Sequence, residues 1–142
     1  MTLIFFFFYI IILIFSIVIH EIAHGYVAFL WGDNTAKNQG RLTLNPLSHI
    51  EWFGSVILPG ILILSGAGFV FGWAKPVPYN PANLRNKRWG TLAVASAGVI
   101  VNMCIALVFG VLTRVLIAQG VIITDSSTYE ILQTIVGLNL VL

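Results

Sequence analysis

The sequence predicts an all-α membrane protein: three to four transmembrane helices, with a small re-entrant β element between the first two. Three observations predict it. Of the 142 residues, 58% are hydrophobic and only 8% charged, with mean hydropathy +0.97, whereas a soluble domain carries about 25% charged residues. Charge-free runs long enough to cross a hydrocarbon core recur along the chain. All four tryptophans, Trp31, Trp52, Trp73 and Trp89, stand at the edges of those runs. An indole there keeps its ring in apolar surroundings and its N–H wet.

The same arithmetic excludes other classes. Charge this sparse cannot cover a soluble enzyme or keep a chain disordered. Seven Lys/Arg against five Asp/Glu are too few for a phosphate-binding face, so no nucleic-acid partner is expected. The single cysteine, Cys104, rules out an intrachain disulfide framework and a cysteine-based zinc knuckle, and reads as a buried helix residue.

Taken in order, residues 1–20 hold no Asp, Glu, Lys or Arg, and the apolar character continues to Leu30. Residues 3–30 are therefore read as one retained helix. A signal peptide is the alternative, but the segment lacks a basic start and a small-residue cleavage site, and its apolar stretch is too long. Residues 32–51 mix turn formers with an alternating stretch, 40–46, in which Arg41 and Thr43 face one way and Leu42 and Leu44 the other. That alternation suits a short strand or hairpin. Residues 54–74 form a second charge-free run of 21. Residues 72–90 carry Lys75, Arg85, Lys87 and Arg88 without an acidic residue, and Pro76, Pro78 and Pro81 favour an extended path. Residues 89–113 form a third run of 25, whose helix continues to about residue 118. A polar turn at 119–127 precedes residues 131–142, the start of a fourth apolar run too short to cross. No internal repeat divides the chain, so residues 1–142 read as one domain.

The chemistry is concentrated in His20-Glu21-Ile22-Ala23-His24. On a helix, residues four apart share a face, so both imidazoles can reach one ion. His-Glu-x-x-His is the zincin arrangement, with neutral imidazole the usual nitrogen ligand of Zn²⁺. Glu21 adjoins that face and can take a proton from water activated there. A lone histidine in an apolar helix is more often a packed, hydrogen-bonded residue. Two histidines and a glutamate inside a membrane span are costly, however, and point to function.

Further motifs follow in order: Asn45-Pro-Leu-Ser-His49-Ile, Phe71-Gly-Trp-Ala-Lys-Pro-Val-Pro-Tyr-Asn-Pro81, Arg85-Asn-Lys-Arg88 and Ala97-Gly-Val-Ile-Val-Asn102. With His20-Glu-Ile-Ala-His24-Gly, the set resembles the site-2 protease family of intramembrane zinc metalloproteases, peptidase family M50, in its compact prokaryotic branch. The likeness runs over nearly the whole chain.

The resemblance implies a zinc endopeptidase that cuts transmembrane proteins or peptides within the lipid bilayer. It would be a multi-pass protein of a prokaryotic cell membrane, with His20 and His24 as metal ligands and Glu21 as general base. Asn102 matches the polar residue of the family's Ala-Gly-Pro-x-x-Asn motif and is implied as a catalytic assistant. Val99 stands where that motif has proline. The family's third ligand is the Asp of a Leu-Asp-Gly motif, which this sequence does not contain. The expectation is a partial core whose third-ligand helix is cut off beyond Leu142. A catalytic zinc takes about three protein ligands plus water. Within the chain His49 is the first alternative ligand, ahead of Glu51, Asp33 and Asp125, which read as solvated loop charges. The alternative function is an inactive family member that binds membrane partners as a scaffold, against which the intact Glu21 argues. A metal-coupled transporter is less apt, since no inverted repeat is visible.

The segment at Lys75-Pro76-Val77-Pro78 is either an edge for an unwound substrate or an interfacial loop against anionic headgroups. Positive-inside counting places it in the cytoplasm. Two full spans before it would put the N-terminus there too, whereas the resemblance implies a His20 helix running inward. Both hold if residues 55–71, interrupted by Pro59-Gly60, Gly66 and Gly68, do not cross.

Overall fold

The computed structural model describes residues 3–69 and 71–142. Its frame is three helices packed on one another: α1 (Leu3–Leu30), α4 (Lys87–Ala118) and α5 (Ser127–Val141). Two short helices, α2 (Thr35–Asn38) and α3 (Leu58–Leu64), lie in the connection between α1 and α4. Asn86 starts α4 by accepting from the Trp89 N–H at 3.1 Å, and Ser126 starts α5 by accepting from the Tyr129 N–H at 3.2 Å. Each thereby satisfies a donor that the first helical turn leaves orphaned.

Polarity is inverted relative to a water-soluble protein. Large apolar side chains lie exposed along the outer faces of α1 and α4, Phe7, Ile11, Phe15, Leu107 and Val111 among them. The buried interior includes Ser16, Asn102, Thr113 and Asn139 beside Val18, Ala28, Val94, Ala97 and Ala106. Small residues let helices approach closely, and buried amides and hydroxyls join them. Asn139 Nδ2 donates to Ser16 Oγ at 2.9 Å, fastening α5 to α1. Cys104 lies exposed on α4, not buried as the sequence suggested.

Two helices, Ile4–Leu30 and Lys87–Ala118, are long and apolar enough to span a bilayer. This corrects the expected three to four. The apolar run at 54–74 does not form one helix: a six-residue π-helical stretch, Trp52–Ile57, runs into the seven-residue α3. The chain then turns at Gly66 and Gly68, whose φ of +67° and +75° suit glycine and end the helix. At 1.5 Å per residue this stretch falls short of the roughly 30 Å hydrocarbon core.

The expected β element is also corrected, since no strand occurs among the described residues. Residues 42–44 bend instead. Thr43's carbonyl is taken by a side chain, His49 Nε2–H donating to it at 2.9 Å. Arg41 turns inward and is buried while Leu44 faces out. Burial falls steadily from Arg41 to Leu44 rather than alternating, and no strand among the described residues completes a ladder.

Candidate metal centre

His20 and His24 stand one turn apart on the face of α1 that packs against α4. Their rings meet edge to face with centroids 4.9 Å apart. His24 Nδ1 lies 2.6 Å from the Val94 carbonyl. A carbonyl only accepts, so Nδ1 carries the proton and the Nε2 lone pair is free. His20 Nδ1 lies 3.0 Å from Asn102 Nδ2. Residue 24 thus pairs with 94 and residue 20 with 102, which makes α1 and α4 antiparallel.

Gly98, one turn before Asn102, leaves the room between these tethers. A Cβ built there would overlap His20 Nε2 and would stand 2.5 Å from His24 Nε2. Both Nε2 atoms therefore converge on the space beside one glycine, a cradle that any side chain would fill. Two imidazoles so held fit a Zn²⁺. Among the described residues no third His, Cys, Asp or Glu joins them.

Glu21 points toward residues 71–80, a segment with neither helix nor strand. Its Oε2 accepts the Val77 N–H at 3.0 Å. In the same segment Trp73 N–H donates to the Gly54 carbonyl at 3.2 Å and Lys75 N–H to the His49 carbonyl at 2.8 Å. Every second N–H faces inward, the mark of extended backbone, as the prolines predicted. A cavity of about 180 Å³ lies between this segment and α1, lined by His20, Glu21, Trp73, Ala74 and Leu142 among others.

Two buried charges hold the segment. Asp33, expected as a solvated loop charge, is fully buried. Its carboxylate accepts from Thr35 N–H (3.1 Å), Thr35 Oγ1 (2.6 Å), Asn80 N–H (2.6 Å) and Asn83 Nδ2 (2.8 Å). Burial alone would push this carboxyl up, but the four donors outweigh it and hold it below the usual carboxylate range. Arg41 Nη2 donates to the Lys75 carbonyl at 2.8 Å.

The structure thus brings His20, Glu21, His24 and Asn102 together and leaves His49 out. His49 is buried, holds Thr43 with its ring and Lys75 with its carbonyl, and does not join the histidine pair. Glu51 caps the π-helical stretch through Phe53 and Gly54 N–H, while Asp125 is exposed, as expected. The roles of Val77, Val94 and Asp33 went unread. Only Val77 carried a local signal, as the lone N–H between Pro76 and Pro78.

Comparison with known proteins gives the chain's relatives and its family. The chain is 42% identical over 96 residues to a protein of Bacillus subtilis (strain 168) named "Putative zinc metalloprotease YwhC", covering 68% of this chain and 40% of that one. It is 33% identical over 100 residues to "Putative zinc metalloprotease Rip2" of Mycolicibacterium smegmatis, covering 70% and 37%. The matched stretches thus span about two-fifths of these curated relatives. No solved structure matches. Peptidase family M50 matches residues 8–141, nearly the whole length, and the chain belongs to that family, the site-2 proteases.

Proposed function

We propose that this chain forms the core of an intramembrane zinc metalloendopeptidase that hydrolyses peptide bonds of transmembrane substrates. The observation that carries the reading is the convergence of the His20 and His24 ring nitrogens beside Gly98, with Glu21 adjacent, inside an apolar helix. Ionisable groups at that depth are costly and mark function.

His20 and His24 would hold the metal through Nε2. A Zn²⁺ bound there supplies a Lewis acid for a carbonyl oxygen and acidifies water to a pKa of about 7. Glu21 acts as general base through Oε1, the carboxylate oxygen not engaged by Val77. Asn102 acts behind the ring of His20. Its amide oxygen and nitrogen exchange places by a half-turn that leaves the side chain's shape unchanged. With Oδ1 toward the ring it accepts from His20 Nδ1–H and fixes the tautomer whose Nε2 can ligate. That makes Asn102 a positioning residue.

The substrate enters as an unwound segment, since a spanning helix has all its peptide groups hydrogen-bonded. Ala74 lines the cavity beside Glu21, and no hydrogen bond engages its N–H or carbonyl among the described residues. A substrate strand laid along this edge would pair there, and Pro76 and Pro78 would end the pairing.

Six of the seven Lys/Arg residues lie between the body of α1 and that of α4: Lys37, Arg41, Lys75, Arg85, Lys87 and Arg88. With only α1 crossing before them, positive-inside counting puts this connection in the cytoplasm and the N-terminus outside. The metal site then lies toward the cytoplasmic end of α1. This accords with a bacterial cell-membrane protein.

The test is cleavage of a single-span substrate by the zinc-loaded protein in liposomes, beside zinc content per chain. Cleavage that stops with Glu21→Gln, and zinc that is lost with His24→Ala, support the reading. A zinc-free protein, or cleavage indifferent to Glu21→Gln, overturns it.

A further inference from the structure

The two buried charges of the long connection are not paired with each other or with any opposite charge among the described residues. Burying a lone carboxylate and a lone guanidinium is costly unless hydrogen bonds satisfy them. Both are directed to the backbone of one segment. Arg41 takes the carbonyl of Lys75, and Asp33 takes the N–H of Asn80 together with the Asn83 side chain. Between these anchors lies Pro76-Val77-Pro78, a tripeptide with a single N–H. That N–H ends on Glu21.

The side chain of Val77 is seated as firmly. It is buried and lies over Gly25, where an added Cβ would stand 2.5 Å from its Cγ1. Gly25 is one turn beyond Glu21 on α1, so the seat and the hydrogen bond fall on the same stripe of helix.

We infer that the Val77 amide is a positioning group for Glu21, and that the Asp33–Arg41 clamp exists to deliver it. The N–H holds Oε2 and thereby sets the carboxylate plane, leaving Oε1 to take the proton of the attacking water. A general base works only when its accepting oxygen lies within hydrogen-bond reach of that proton, and a carboxylate free to turn about the three side-chain torsions of a glutamate spends little time there. The inference rests on Glu21 being the base, and it adds what aims it.

The experiment has two arms on the full chain in detergent. The first uses no metal and no substrate: amide-proton exchange in ¹⁵N-valine-labelled protein. The Val77 amide is expected to be protected and to exchange at least about tenfold faster in Glu21→Ala, with Val94, inside α4, unmoved. Equal protection of Val77 in the two proteins overturns the proposal. The second arm compares Val77→Ala, which trims the side chain but keeps the N–H, with Val77→Pro, which removes the N–H in an already pre-proline, extended position. Val77→Pro is expected to lower kcat at least about tenfold below Val77→Ala, with KM and zinc content equal in both. Equal kcat in the two variants overturns the proposal. Should Val77→Pro fail to fold, the exchange arm decides alone. Cleavage indifferent to Glu21→Gln would instead sink the general-base reading, an outcome that the exchange arm tells apart from failure of the latch.

Discussion

His24 Nδ1–H donates to the Val94 carbonyl at 2.6 Å across the seam between α1 and α4. That bond settles the tautomer of one imidazole of the candidate metal centre without any other side chain. Its twin, His20, has a side-chain amide in the corresponding place. One tether is backbone and cannot be mutated away, and the other can.

Asn102→Ala removes the replaceable tether. Loss of such an outer hydrogen bond typically weakens metal binding by about 10–100-fold. Asn102→Asp keeps an oxygen toward Nδ1 and is expected to recover most of that loss. Zinc affinity by competition with a chelator reads both. Equal affinities in wild type and Asn102→Ala would remove Asn102 from the site.

Gly98→Ala separates helix stability from metal binding. Alanine is the better helix former by about 1 kcal/mol, so α4 alone gains. The new methyl, however, occupies the space on which both Nε2 atoms converge. The expected protein is folded, as helical as wild type by circular dichroism, and loses most of its zinc. Full zinc occupancy in Gly98→Ala would place the ion elsewhere.

Glu21→Gln is nearly isosteric and its side-chain oxygen still accepts from Val77, but it cannot take a proton. Cleavage is expected to fall by about 10²–10⁴-fold, the usual reach of general acid–base catalysis, with zinc content unchanged.

Asp33→Asn tests the clamp through pH. The folded carboxyl lies below its ordinary value of 3.8, so its contribution to stability is complete above that value. It is lost as pH falls below 3.8 through the folded value. At neutral pH the substitution is expected to cost about 1–3 kcal/mol, the scale of hydrogen bonds to a charged group. The gap from wild type should close only below about pH 3.8. Denaturant unfolding in micelles at two pH values measures it, and a gap that persists unchanged at low pH would mean that Asp33 is not held as the ion.

Much of the site was legible because it is local. The spacing of His20 and His24 fixes a shared helical face, and the charge-free runs fix the two long helices. What the sequence hid depends on distant partners. Residues 54–74 have the length and hydropathy of a span, but the glycines at 66 and 68 adopt positive φ and end the helix early. Arg41 and Thr43 alternate with Leu42 and Leu44 in the sequence as a strand would, yet no strand occurs among the described residues. Asp33 looks like a loop charge until residues 80–83, some fifty positions on, fold back over it. Asn102 was expected to assist near the active site, and only the fold shows which ring it touches, that of His20 at 3.0 Å.

Both imidazole tethers cross the same helix–helix seam, so binding of a metal by these rings would be thermodynamically linked to helix association. An ion that binds only when both rings are aligned binds only the docked α1–α4 pair. It therefore stabilises docking by RT ln(1 + [ion]/Kd). By the same linkage, whatever loosens the docked pair weakens the ion by an equal free energy. A chelator should thus act on this protein as a mild denaturant of one interface.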